Sequence, residues 1–217
     1  MSDSDLKIHA PMISFEGVDC SGKSSAIIYL QKLLKEKGYD VLSSREPGGT
    51  PLGEQIRAMV LSTTMNIKTE ILVFAAARVE HLTQVILPAL SRGCIVLCDR
   101  FADSSYAYQG RGRGYPKEVL EIEKFALQGF EPNYTLFFDV KLEESFRRLA
   151  IRETRDRFEM ERRDFHQSVF EGYLERFQDN PHRMVRIDAM QTIENVQEQI
   201  KNWVETVFVV NHPLPSS

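Results

Sequence analysis

Residues 17–24 read Gly-Val-Asp-Cys-Ser-Gly-Lys-Ser, a match to G-x-x-x-x-G-K-[ST]. They follow an apolar run, Met12 to Phe15, and precede apolar residues at helical spacing, Ile27, Leu30, Leu33 and Leu34, that stop ahead of Gly38. A strand that turns through two glycines straight into a helix N-terminus is compatible with few folds. Gly17 and Gly22 let backbone N–H groups of Val18, Asp19, Cys20 and Ser21 curl around phosphate oxygens, and the helix N-terminus adds its partial positive charge. Lys23 reaches β- and γ-phosphates, and Ser24 offers a hydroxyl to Mg²⁺. The octapeptide therefore predicts a site for a nucleoside triphosphate with Mg²⁺.

Four further apolar runs, Tyr39 to Leu42, Ile95 to Cys98, Thr135 to Phe138 and Val185 to Ile187, are strand candidates, with helical patterns between them. Strand and helix alternating in this way predict an α/β fold, a five-stranded parallel sheet with helices on both faces. Ligands of such sheets bind beyond the carboxyl ends of the strands. Residues 12–208 read as one domain, and residues 1–11 and 209–217 as poorly ordered ends.

The 217 residues include 27 Lys and Arg against 31 Asp and Glu, a formal charge of -4, so the chain lacks the positive field that a nucleic-acid binder needs. Cys20, Cys94 and Cys98 form no C-x-x-C pair and no zinc spacing, which fits a reducing cytoplasm. The acidic start Met-Ser-Asp-Ser-Asp is unlike a signal peptide, and no uninterrupted apolar run reaches the ~18 residues of a membrane span, so no membrane partner is expected.

Other segments carry phosphate- or base-reading groups. The third strand ends in Asp99-Arg100: the carboxylate suits Mg²⁺, directly or through water, as well as a plain turn, and the planar guanidinium suits a second phosphate. Phe74 and Arg78 lie four apart, on one helical face, where they either stack on and hydrogen-bond a base or form core and surface. The run Phe101 to Gly110, with Ser104, Ser105, Tyr108 and Gln109, is either a pocket lining or a capped surface helix.

Arg-Glu-Pro-Gly-Gly-Thr at 45, Phe-Ala-Ala-Ala-Arg at 74, Asp-Arg-Phe at 99, Ser-Ser-Tyr-Ala-Tyr-Gln-Gly at 104 and Asp-Arg-Phe-Glu at 156, together with the octapeptide, resemble the bacterial-type thymidylate kinases in order and spacing over residues 12 to about 208. The resemblance implies a P-loop nucleoside monophosphate kinase fold with an Arg-rich lid at about 150–164, and phosphoryl transfer from MgATP to dTMP, giving dTDP and ADP. It implies that Phe74 stacks on thymine while Arg78, Ser105 and Gln109 hydrogen-bond its edge, with Arg57 at the same pocket and Ser104 beside it. By the same resemblance, Arg45 and Arg100 would hold the acceptor phosphate, Tyr108 would press against the sugar C2′, and Asp19 would sit between the acceptor and the metal carried by Ser24 and Asp99. Asp188-Ala189 matches the loop near adenine, and homodimerisation is a trait of the family.

Phosphoryl transfer needs positive charge around the moving group. Asp19, Cys20 and Ser21 include no Arg, whereas one branch of the family carries a catalytic Arg there. Ser145 to Phe165 contains seven Arg against five acids, which is equally the composition of a salt-bridged surface helix. The match of 156–159 to the family lid makes Arg152, Arg155 and Arg157 the catalytic candidates, with Arg157 first, because Ala150 and Glu153 depart from the bacterial pattern around Arg152.

Overall fold

A computed structural model describes residues 8–152 and 156–213. Its five strands are β1 (Met12–Glu16), β2 (Val41–Arg45), β3 (Ile95–Asp99), β4 (Tyr134–Asp139) and β5 (Met184–Asp188). They form one sheet in the order β2-β3-β1-β4-β5, with every pairing parallel. The chain runs out to β2, returns to β3 beside β1, then crosses to β4 on the far side of β1. Connections thus leave β1 in opposite directions, and that switch opens a crevice beyond its carboxyl end.

The sheet is covered on both faces because β1 alternates. Ile13 and Phe15 join the core with Ala26, Ile27, Leu30 and Leu34 of α1 (Lys23–Glu36). Met12, with Val96 and Cys98 of β3, joins Leu82, Ile86, Ala89 and Leu90 of the long helix α3 (Ile67–Ser91). Between them α2 (Pro51–Ser62) is capped by Thr50, whose hydroxyl accepts from Gly53 N at 2.9 Å. Helix α4 (102–112) ends in a π-turn over Tyr106–Gly112, followed by α5 (Pro116–Leu127), α6 (Leu142–Leu149), α7 (Arg163–Asp179) and α8 (Ile193–Trp203).

Three expectations change. The second strand lies two to three residues later than its apolar signal: Tyr39 packs on Phe208 and donates to His212 O at 2.6 Å, while edge strand β2 tolerates half-buried Ser43 and Ser44. The expected loose ends are partly built in. His9 N donates to Leu90 O and Ala10 is buried, while His212 packs against Phe208; residues 1–7 and 214–217 lie outside the described residues. Helix α3, at 25 residues and mean hydropathy 1.3 over its most apolar window, does reach the length and composition of a membrane span. Leu82, Ile86, Ala89 and Leu90 of its C-terminal part pack on the sheet, and buried Glu70, Arg78 and His81 sit along it.

Candidate active site

Register brings the functional segments to one edge. Asp99 stands opposite both Phe15 and Arg45, so Gly17, Glu46 and Arg100 leave three adjacent strands together. The loop after β1 needs glycine twice. Gly17 has φ 142°, and a Cβ there would lie 2.7 Å from Phe138 O; Gly22 caps α1 at φ 100°. Lys23 Nζ folds back to donate to Gly17 O at 3.0 Å, Val18 O at 2.9 Å and Ser21 Oγ at 3.3 Å. Burial, reinforced by Arg100, pushes its ammonium down to about 8.

Ser24 Oγ donates to Asp99 Oδ2 at 3.4 Å, and Asp99 Oδ1 is buried without a partner. That orphan oxygen beside a hydroxyl fits a hard cation, and Mg²⁺ takes most of its ligands from water and phosphate. No cluster of three His, Cys, Asp or Glu exists among the described residues, so the fit is to a metal arriving with its nucleotide.

Arg100 is the hub of the hydrogen bonds at this edge. It adopts the left-handed region, φ 68°, which turns its guanidinium back over the loop. Nη1 donates to Gly17 O, Ser104 Oγ and Tyr173 Oη at 2.8–3.2 Å; Nη2 donates to Asp19 Oδ1 at 2.5 Å and Tyr108 Oη at 3.2 Å. Tyr108 Oη in turn donates to Asp19 Oδ2 at 2.8 Å. Burial raises the Asp19 carboxyl, but Arg100, Lys23 and the Tyr108 hydroxyl together outweigh it and hold the group below its usual range. Ser104 is turned inward: its hydroxyl donates to Glu16 Oε2 at 2.5 Å. Glu16 Oε1 accepts from Phe101 N at 2.7 Å, and burial, then Asp103, raises this carboxyl to about 8.

A cavity of ≈ 250 Å³ opens from the loop towards α2 and α3, and Asp19, Lys23, Ser24, Asp99 and Arg100 line its phosphate end. Arg45, Arg57, Phe74, Arg78, Ser104, Ser105, Tyr108 and Gln109 line it too. From the run 101–110, Ser104, Ser105, Tyr108 and Gln109 line the pocket while Phe101 and Ala102 join the core, and the π-turn carries Tyr108 and Gln109 inward. Arg78 is neither a surface residue nor a free fork. Its Nε donates to Glu46 Oε2 at 2.6 Å and Nη2 to Phe101 O at 3.0 Å; Nη1 lies 3.8 Å from Glu123. Arg57 Nη1 donates to Pro47 O at 3.1 Å, and Arg45 is held by Glu54 at 2.8 Å.

The lid divides its arginines differently from the sequence order. Arg152 lines the cavity; its Nη1 donates to Glu159 Oε1 at 2.7 Å and approaches Cys20 Sγ of the loop at 4.0 Å. Arg157, the first candidate, points away, with Nε donating to Val60 O at 3.0 Å and Nη2 to buried Glu70 at 2.8 Å. The carboxylate inside α3 captures it, and its neighbour Phe158 enters the cavity wall against Phe74 and Tyr108. Arg155 lies outside the described residues.

Several supports escaped the motif reading. Ser145 Oγ donates to Asp19 O at 2.7 Å, and Arg148 bridges Cys20 O at 3.3 Å to Ala189 O at 3.0 Å, tying the phosphate loop to the loop after β5. Tyr173 contacts Arg100 from 73 positions away, with no local signal. Glu16 did leave one: a carboxylate closing an otherwise buried strand needs a partner.

A parallel 2-3-1-4-5 sheet, a phosphate loop with its lysine, and a second arginine-lined phosphate position joined to an aromatic pocket define a P-loop kinase that acts on a nucleoside monophosphate. A family model described as thymidylate kinase matches residues 15–200. Over 200 residues, 90% of this chain and 95% of the relative, the chain is 46% identical to a thymidylate kinase of Pseudomonas fluorescens. It is 44% identical over 199 residues to one of Nitrosospira multiformis, covering 90% of this chain and 97% of that one. The chain belongs to the thymidylate kinase family.

Proposed function

We propose that the enzyme transfers the γ-phosphoryl group of MgATP to the 5′-phosphate of dTMP, giving dTDP and ADP for dTTP synthesis. The observation that carries this reading is the single cavity wall on which the nucleotide loop and the Phe74–Gln109 pocket meet, with Arg100 and Asp19 at the junction. The loop N–H groups and Lys23 bind the donor phosphates, and Ser24 and Asp99 would hold Mg²⁺, which would supply charge neutralisation. Arg45 and Arg100 align the acceptor phosphate for in-line attack. Asp19, kept ionised by Arg100, would face the metal and the acceptor. Arg152 comes over the transferring group from the lid. Tyr108 lies where it can fill the space a ribose 2′-hydroxyl needs, and Phe74, Arg78, Ser105 and Gln109 hold thymine with Arg57 nearby.

A cytoplasmic homodimer completes the reading. Leu72 on α3 and Leu120 and Phe125 on the adjacent α5 are exposed apolar side chains suited to a second copy. The test is ADP release with MgATP and each of dTMP, dUMP, UMP, dCMP and AMP. The proposal requires dTMP to give the highest kcat/KM and chelation of Mg²⁺ to stop turnover; a preferred purine or ribose acceptor would refute it.

A further inference from the structure

One fully buried carboxylate beside the base pocket has no part in the reaction. Glu70 on α3 is fully buried. Its Oε1 accepts from Gln109 Nε2 at 2.9 Å and lies 3.7 Å from Arg113 Nε; its Oε2 accepts from Arg157 Nη2 at 2.8 Å. Arg113 is itself paired with Glu161 at 2.7 Å, so charge balances over the four groups. Gln109, Arg113 and Arg157 each face Glu70 with a donor.

This arrangement leaves the Gln109 amide one orientation. Turning it over would set a carbonyl oxygen against a carboxylate oxygen, two acceptors in contact where Glu70 is 0% and Gln109 2% exposed. The NH₂ is committed to Glu70, and the carbonyl oxygen is the atom left for the cavity that Gln109 lines. Arg78, with Nε and Nη2 taken by protein acceptors, is a donor whatever it meets. Together the two residues offer a donor and an acceptor, the complement of the O4 and N3–H of a keto pyrimidine. Cytosine inverts both positions, with an amino group at C4 and a bare N3. Arg78 has no way to adapt to that inversion, and a free Gln109 amide would.

We propose that Glu70 is a positioning residue that locks the Gln109 amide and so sets the choice of keto over amino pyrimidine monophosphates. The inference rests on the proposed function, in which Arg78 and Gln109 read the base. Glu70→Gln has one carbonyl oxygen, which Arg157 takes, and it turns an NH₂ towards Gln109. The Gln109 amide then flips and shows its own NH₂ to the base.

The test compares kcat/KM for dTMP, dUMP and dCMP, with MgATP, in wild type, Glu70→Gln, Gln109→Leu, the Glu70→Gln/Gln109→Leu pair and Arg157→Met. The expected result is a dTMP-to-dCMP ratio at least ~10-fold lower in Glu70→Gln, carried by KM, since one base-edge hydrogen bond is worth about that factor. The dTMP-to-dUMP ratio, which reports the methyl group, stays within about 2-fold. In the Gln109→Leu background the Glu70 substitution leaves the dTMP-to-dCMP ratio unchanged, and Arg157→Met, which keeps the Glu70–Gln109 contact, leaves it at the wild-type value. Glu70→Gln/Arg157→Met removes both partners of the ion pair, and its ratio falls between wild type and Glu70→Gln, which keeps the question open to measurement if the single variant does not fold. A wild-type ratio in folded Glu70→Gln, or a shift that persists without Gln109, overturns the assignment as a merely structural buried acid. Wild-type enzyme inactive on dTMP would instead overturn the proposed function, and this inference with it.

Discussion

Replacing Arg152 and Arg157 one at a time should have opposite consequences. Arg152 is 58% exposed, and its partner Glu159 is a single carboxylate at 2.7 Å. Only the Arg152 end of this pair is solvated; Glu159 is 6% exposed but also accepts from Asp156 N at 3.0 Å, so losing the arginine costs about 1–2 kcal/mol and Arg152→Ala should melt within about 8 °C of wild type at roughly 2–4 °C per kcal/mol for a chain of this size. Arg152 approaches Cys20 of the phosphate loop, and the proposed function gives it the transferring phosphoryl group, where a supplied arginine is worth roughly 10³ to 10⁵ in turnover, or about 4–7 kcal/mol of barrier. Arg157 is 13% exposed against a Glu70 that is 0% exposed. Arg157→Met leaves that carboxylate without its nearest cation, a loss of about 3–5 kcal/mol and hence roughly 6–20 °C, while kcat should fall less than about tenfold. The measurements are ADP release at saturating substrates, calorimetric dissociation constants for both nucleotides, and thermal melts. Arg152→Ala keeping more than a tenth of wild-type kcat would refute the reasoning, as would Arg157→Met losing a thousandfold at an unchanged melting temperature. Arg155→Ala in the same panel shows whether a third arginine shares the role.

Lys23, held near 8 by burial, should take up a fraction of a proton when MgATP binds at pH 8; calorimetry in two buffers of different ionisation enthalpy reads this directly, and buffer-independent heats would exclude it. Tyr108→Phe should keep the preference for the 2′-deoxy sugar but lose turnover, because its hydroxyl no longer donates to Asp19; Tyr108→Ala should also narrow the gap between dTMP and its ribose analogue, and equal discrimination in all three proteins would move the selector elsewhere. Glu16, raised to about 8 in the folded state, contributes stability that is present below its ordinary value of 4.5 and lost as pH rises through about 8. Glu16→Gln should therefore gain in melting temperature relative to wild type between pH 5 and 8, and parallel profiles would contradict this.

Local chemistry made part of the molecule legible from its residues alone. The phosphate loop is contiguous, its two glycines and its lysine act within eight positions, and the apolar runs of β1, β3 and β4 carry their own strand signal. Asp99-Arg100 was visible because a strand end is also a sheet edge. The shift of β2 was not, since Tyr39 is apolar for the sake of Phe208, far along the chain. The roles of the charged residues were decided by tertiary structure. Composition made Arg152 and Arg157 alike, and only the burial of Glu70 draws one away from the cavity and leaves the other beside Cys20. Arg78 met Glu46 across 32 positions, and Glu16 met Ser104 across 88. A motif reports what adjacent residues must do to bind phosphate, whereas the partner of a buried charge is chosen by whichever opposite group the fold brings within 3 Å, because an unpaired charge there costs more than the fold can bear.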